Sequence, residues 1–152
     1  MRISWSRSAL LISCIVLSSA SRAQRVSSPE RQLFDAANRA RRGRGLPSLL
    51  WNEALASAAR THALEMAKRK LPAHQFPGEP NLPTRARRAG ARYTWLAENV
   101  DQGPNAATIH QRLMASPLHR ANILDTDMDS AGIGVAERNG QWFAVEDFSK
   151  AR

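Results

Sequence analysis

The stretch AGIGVAERNGQWFAVEDF, residues 131–148, decides the fold class of this chain. Two strand-like runs, residues 131–137 and 141–148, flank Arg138-Asn139-Gly140. An Asn-Gly pair between two such runs is a strong signal for a tight antiparallel hairpin, because both residues tolerate the positive φ that the turn needs. The chain is therefore expected to close with two antiparallel strands.

Helices are expected to fill most of the chain before this hairpin. Ser28 before Pro29 signals the start of a first helix that ends near Arg42, and Asn52 caps a second one that reaches about Lys70. Shorter helices are predicted at residues 84–89, at 105–114 and from 116 onward, with a third strand at 95–100 and an apolar connector at 46–51. Helices first and strands late favour an α+β layered domain over alternating parallel units.

Residues 1–23 are interpreted as a secretory signal peptide. Arg2 and Arg7 precede an apolar run at residues 9–17, and small residues lead to a cleavage point after Ala23. The apolar run has about half of the roughly 20 residues that a spanning helix needs, so no membrane anchor is expected in the mature chain. Lipidation at Cys14 is disfavoured, because too few apolar residues precede it. The sequence thus predicts an exported protein, periplasmic or extracellular.

Cys14 is the only cysteine, and it lies in the segment that would be removed. The mature chain must therefore fold without disulfides, as a single domain stabilised by its own apolar core. Thiolate metal ligands and a cysteine nucleophile are excluded for the same reason.

The composition is strongly basic: 22 Lys and Arg against 13 Asp and Glu give a net charge of +9. Removal of the signal segment with its three arginines leaves +6. Basic clusters at residues 39–42, 68–70 and 85–88 stand where helices are expected to end, and cations there favour the helix dipole. No aromatic residues alternate with them, as a nucleic-acid surface would require. We therefore expect solvated helix ends and no nucleic-acid partner.

His74, Glu98 and His119 carry the most suggestive chemistry. Two imidazoles and a carboxylate are the groups that a protein uses to bind a divalent metal or to move a proton near neutral pH. His74 lies in a proline-rich loop, and functional side chains are often carried on loops. The wide spacing of the three residues matches no compact metal motif, so the spacing alone does not place them together.

Five motifs in a characteristic order carry a family resemblance. They are Leu50-Trp51-Asn52, Ala59–Ala67, Ala97-Glu98-Asn99-Val100, Ser116–Leu124 and Gly132-Ile133-Gly134-Val135. In this order they resemble the CAP superfamily of cysteine-rich secretory proteins, venom allergens and pathogenesis-related proteins, and within it the disulfide-free bacterial branch of SCP-like extracellular proteins. The resemblance covers residues 33–148. It implies a short lead at 24–32, a CAP domain at 33–152, and a three-layer α-β-α sandwich around a small antiparallel sheet.

The resemblance also implies that His74, Glu98 and His119 share a central cleft, in which the family places two histidines and two acidic residues. The fourth member has no counterpart here, because the corresponding stretch is Leu113-Met114-Ala115-Ser116. Glu79 is the carboxylate that the loop could supply in its place. Three such ligands with an open fourth position would suit zinc and an activated water.

Five other polar residues have structural interpretations. His62 and Glu65 are three residues apart on one helix face, where they can pair, and a packing or capping role is expected for them. Ser116, which stands before a proline, is expected to cap a helix and not to act as a nucleophile. Asn99 is expected to be a buried amide that fixes the local backbone, and His110 is expected to face outward.

Two functions from different classes follow. The first is a secreted, monomeric binding module whose cleft holds an envelope component, a lipid or a peptide without turning it over. The second is a metal-assisted hydrolase with His74 and His119 as ligands and Glu98 as a ligand or general base. We favour the first, since the missing fourth acidic residue weakens the second.

Overall fold

The computed structural model of the protein describes residues 28–151. The predicted signal peptide and residues 24–27 of the predicted lead lie outside this range. In chain order the elements are α1 (Pro29–Arg42), β1 (Leu50–Trp51), α2 (Glu53–Arg69), α3 (Leu82–Arg88), β2 (Tyr93–Gly103), α4 (Ala106–Ala115), α5 (Pro117–Leu124), β3 (Ser130–Arg138) and β4 (Gln141–Ala151).

The four strands form one sheet in the order β1-β3-β4-β2, covered by helices on both faces. α2 packs on one face, against β3 and β4, and carries α3 beside it. α1, α4 and α5 cover the other face around the larger apolar core, which includes Leu33, Ile109 and Phe148. The expected α-β-α sandwich without disulfides is confirmed. Within residues 28–151, no helix is long and apolar enough to cross a membrane.

Three helix starts follow the predicted capping signals at Ser28, Asn52 and Asn105, whereas α3 begins two residues earlier than predicted, with an unpredicted cap at Asn81. The side chains of Ser28, Asn52, Asn81 and Asn105 each accept a hydrogen bond from the backbone N–H three residues on, at 2.9–3.2 Å. Ser116 occupies the cap position of α5, but its side chain makes no capping bond, so that part of the prediction was wrong. Ser116 joins α4 directly to α5, and its backbone N–H instead closes the last turn of α4.

The sheet has one more strand than the sequence pattern predicted, and one of its strands is longer. The hairpin of β3 and β4 is confirmed, and the third strand extends beyond residues 95–100 to Tyr93–Gly103, antiparallel to β4. The end of the predicted connector forms β1, which pairs in parallel with β3 through Leu50 and Ser130. A two-residue strand leaves no periodic signal, because its pairing depends on a partner about 80 residues away.

α2 lies directly on the backbone of β3. Gly132 and Gly134 of β3 face it, and neither position has room for a side chain. A Cβ on Gly134 would stand 2.6 Å from the carbonyl oxygen of Ala59 and closer still to the next peptide nitrogen, on Arg60. Glycine therefore serves here to let helix and strand backbones touch.

The basic cluster at the end of α1 is not wholly solvated, contrary to the prediction. Arg41 is only 1% exposed, and its guanidinium donates to the carbonyl oxygens of Pro47, Ile123, Asp125 and Met128 at 2.8–3.0 Å. Arginine suits this position because its donors point in fixed directions and can satisfy several carbonyl groups at once. Arg41 thereby ties the end of α5 to the connector after α1.

Replacement of Gly134 by alanine is expected to destabilise the fold, because the added methyl would push α2 off the sheet. The expected cost is about 2 kcal/mol or more, which lowers the melting temperature by several degrees. Gly43→Ala is the matched control, since Gly43 has a helical φ of −62° and its nearest new contact would be 3.4 Å away. Thermal unfolding followed by circular dichroism compares the two. Equal melting temperatures for both variants would contradict this account of the contact.

Candidate functional site

The candidate cleft lies along the free edge of the sheet, where β2 is the last strand. Glu98 and Asn99 are neighbours in β2, so their side chains point to opposite faces. Glu98 contacts residues of the loop and of α3 on one side, and Asn99 contacts α5 on the other. The polar groups of both helical layers therefore meet at this edge.

Glu98 is a buried carboxylate with both oxygens engaged. Its Oε1 contacts Nδ1 of His74 at 3.0 Å, and its Oε2 accepts a hydrogen bond from Nη2 of Arg85. The side chains of Glu98 and Arg85 are 4% and 3% exposed, whereas that of His74 is 60% exposed. The result is an accessible imidazole oriented by a buried ion pair.

Arg85 was missed by the sequence analysis, which assigned its cluster to a solvated helix end. It does lie in the last turn of α3, but it points inward and also donates to the carbonyl oxygens of Pro80 and His74 at 3.0 and 3.3 Å. The buried carboxylate of Glu98 explains the difference, since a charge in the interior needs a paired, hydrogen-bonded partner.

The loop that carries His74 is attached to α2 through His62. The fully buried imidazole of His62 contacts Glu79 Oε1 through Nδ1 and the carbonyl oxygen of Ala73 through Nε2, both at 2.7 Å. His62 does not pair with Glu65, which their spacing allows, because Glu65 pairs with Lys68 and Arg69 on the solvent side. A helix face offers many neighbours, and tertiary contacts decide which one is used.

Glu79 does not supply a carboxylate to the cleft. Its second oxygen accepts a hydrogen bond from the backbone N–H of Phe76 at 3.2 Å, and its first contacts His62. Glu79 is therefore a structural residue that closes the loop on itself and on α2. The expectation that it replaces the family's fourth acidic residue was wrong.

His119 is positioned through its backbone by a buried amide network. Nδ2 of Asn99 donates to the His119 carbonyl oxygen and to Oε2 of Glu146, each at 3.1 Å, and Asn122 donates to Oδ1 of Asn99 at 2.9 Å. Asn99 is fully buried. The imidazole of His119 makes no hydrogen bond or ion pair with another residue in the described range.

The pKa values of His74 and His119 are shifted in opposite directions. The hydrogen bond to Glu98 raises the pKa of His74 above its usual 6.5. Burial, and next the nearby charge of His74, lower the pKa of His119. The structure thus brings His74 and Glu98 into contact and puts His119 within electrostatic reach. His74 therefore keeps its proton to a higher pH than His119, which favours His74 as a hydrogen-bond donor and His119 as an acceptor toward a polar group.

Two buried acids in β4 also escaped the sequence analysis, although adjacent acidic residues inside an apolar strand were a visible signal. Burial raises the pKa of Glu146 to about 7. Burial, followed by the charge of Glu98 directly across the sheet, raises the pKa of Asp147 well above its usual value. Glu146 holds Asn99, so it supports the His119 side of the cleft.

His110 does not face outward as expected. It is half-buried beside a cavity of about 450 Å³ between α1 and α4, and burial lowers its pKa. It lies apart from His74 and His119, because α4 presents it to α1 and not to the sheet edge.

The residues do not fit a zinc site. Within residues 28–151, no three His, Cys, Asp or Glu side chains come close enough together to hold a metal ion. Glu98 would have to give up Arg85 or His74 to become a ligand, and that would leave a buried charge without its partner.

Comparison with known proteins shows the family of this chain. The family model described as CAP, cysteine-rich secretory protein family, matches residues 34–148. The uncharacterized protein YkwD of Bacillus subtilis strain 168 is 27% identical over 118 residues, which are 77% of this chain and 46% of that protein. The chain thus spans less than half the length of this relative.

Solved structures share the fold. An extracellular protein containing an SCP domain from Bacillus anthracis is 25% identical with a TM-score of 0.74, over 80% of this chain and 40% of that one. An outer surface protein of Borrelia burgdorferi is 18% identical, also with a TM-score of 0.74, over 82% of this chain and 93% of that one. The second likeness concerns the fold alone.

In a Glu98→Gln variant, we expect the pKa of His74 to fall, because the imidazolium loses its anionic partner. NMR titration of the imidazole protons measures this, with His110 as the internal control far from the change. Because folding raises the pKa of His74, its pairing stabilises the fold fully below the unfolded value of 6.5 and ceases to do so as pH rises through the folded pKa. Identical His74 titrations in both proteins would contradict the assigned contact.

Zinc is expected to leave the melting temperature unchanged in the wild type and in the His74→Ala and His119→Ala variants. A metal that binds only the folded state must stabilise it, so the melting temperature is a direct measure of binding. The protein should carry no histidine tag. If zinc raises the melting temperature of the wild type but not of either variant, the cleft binds zinc, and the conclusion that these residues do not fit a zinc site is wrong.

Proposed function

Because this chain belongs to the CAP family of cysteine-rich secretory proteins, we propose that it is an exported binding module. Its cleft holds an envelope component, a lipid or a peptide without turning it over. The cleft comprises His74, Glu98 and His119, with Asn99 as the residue that positions its far side.

The engagement of Glu98 carries this proposal. Both of its oxygens already accept hydrogen bonds, one from a buried guanidinium and one from His74. A general base or metal ligand must also reach its target, and the side chain of Glu98 is only 4% exposed behind His74 and Arg85. Glu98 instead orients an exposed imidazole, which suits the recognition of a polar group. We therefore do not propose metal-assisted hydrolysis as the function.

Apolar side chains near the two histidines support an amphiphilic ligand. Leu118, next to His119, is 80% exposed, and Leu71, three residues before His74, is 54% exposed. An exposed apolar side chain close in sequence to a polar group offers an amphiphilic ligand both kinds of contact. A polar head between the imidazoles and an apolar part against these leucines would use both features.

Export is supported by two observations. Residues 1–23 have the pattern of a secretory signal peptide, and the SCP-domain protein that is 25% identical is described as extracellular. A nucleic-acid role gains no support, since Arg41 and Arg85 are directed inward and do not add to a basic surface. A monomer remains our prediction for the oligomeric state.

Co-sedimentation with an isolated bacterial envelope fraction tests the proposal. We expect His74→Ala and His119→Ala each to reduce the retained protein about fivefold or more, because each removes one polar partner of the ligand. His110→Ala is the matched control, a histidine in the same layer as His119 but outside the cleft. Native mass spectrometry of the retained protein then identifies the bound material.

Failure takes two forms. If the wild type is not retained, the chain does not bind envelope material. If both cleft variants are retained as well as His110→Ala, binding occurs elsewhere on the molecule, and the cleft assignment is wrong.

A further inference from the structure

A concave site lies beside the loop that carries His74. It is a groove of about 550 Å³ between the outer face of α2, the loop segment Pro77–Pro80 and α3. This volume falls in the range of roughly 300–1,000 Å³ that is typical of small-molecule sites. The cleft residues His74, Glu98 and His119 do not line it.

The groove has rigid walls. The His62–Glu79 contact holds the loop to α2, and the hydrogen bond from Arg85 to the carbonyl oxygen of Pro80 holds it to α3. Its surface includes Ala58, Ala89 and the two prolines, which offer an apolar lining. A site that is already formed loses little conformational entropy when it binds a ligand.

One cation in this groove is uncompensated. Five charged side chains line it: Glu65, Arg69, Glu79, Arg85 and Arg88. Four of them have partners, since Glu65 pairs with Arg69, Glu79 with His62 and Arg85 with Glu98. Arg88 is exposed and makes no hydrogen bond or ion pair within the described part of the chain. The groove therefore offers a single free positive charge.

We propose that this groove binds a small monocarboxylate with an apolar body. The carboxylate pairs with Arg88, whose guanidinium matches two carboxylate oxygens, and the apolar body lies against Ala58, Ala89 and the prolines. Charge decides against a phosphate group, which carries about −1.5 to −2 near neutral pH and would meet one free cation beside two carboxylates. The groove shares Arg85 with the candidate cleft, but the pairing of Arg88 with a carboxylate does not require the proposed cleft function.

Titration of the isotope-labelled chain with hexanoate, followed by NMR shifts of backbone amides, tests the proposal. Saturable shifts are expected at the amides of residues 57–61, 78–79 and 88–89. Arg88→Gln should weaken binding about fivefold or more, because it removes the free cation. Arg87→Gln is the matched control, since Arg87 is also exposed on α3 but lies outside the groove. Thr61→Phe, an exposed substitution on α2, should abolish binding by filling the groove.

Three further probes separate the alternatives. Hexanol should bind much more weakly than hexanoate, and equal binding would overturn the role of the carboxylate. Inorganic phosphate should shift the same residues less, and tighter binding of phosphate would overturn the choice of ligand. N-acetyl-leucine should bind if the source of the carboxylate is a peptide C-terminus, whereas its amide should not. Equal hexanoate affinity in the Arg88 and Arg87 variants would refute the site.

Discussion

The contact between the backbones of α2 and β3 is the constraint on which the rest of the structure depends. Gly132 and Gly134 leave no side chain between helix and strand, so α2 sits at one depth over the sheet. That depth places His62, in the middle of α2, where it holds the loop through Glu79 and Ala73. The loop in turn carries His74 to Glu98. A change in the distance between the backbones of α2 and β3 would therefore be transmitted through His62 and the loop to the candidate cleft.

The cleft arises because one edge strand serves both helical layers. Alternation along β2 sends Glu98 to His74 and Arg85, and Asn99 to α5. Each side has a buried acid behind it in β4, Asp147 opposite Glu98 and Glu146 opposite Asn99. Glu146 and Asp147 are tolerated in the interior because protonation removes their charge, in agreement with their raised pKa values.

Arg41 and Arg85 have a different role from the other basic residues in their clusters. Arg41 and Arg85 each lie in the last turn of a helix among exposed basic neighbours, but each is buried and donates to oxygens of distant segments. Arg41 joins α1 to the end of α5, and Arg85 joins α3 to the cleft. Part of the chain's positive charge is therefore buried and stabilises the fold. The net charge alone does not distinguish these arginines from those on the surface.

The sequence by itself determined the helix starts, the hairpin and the layered α+β class, because caps, Asn-Gly turns and periodic apolar positions act over a few residues. It also singled out His74, Glu98 and His119, but only through ordered motifs. Tertiary structure alone decided that His62 binds Glu79 and not Glu65, that Arg85 completes the cleft, and that residues 50–51 form a strand. The physical reason is that a polar side chain has many possible partners nearby in sequence, and burial selects one that lies far away.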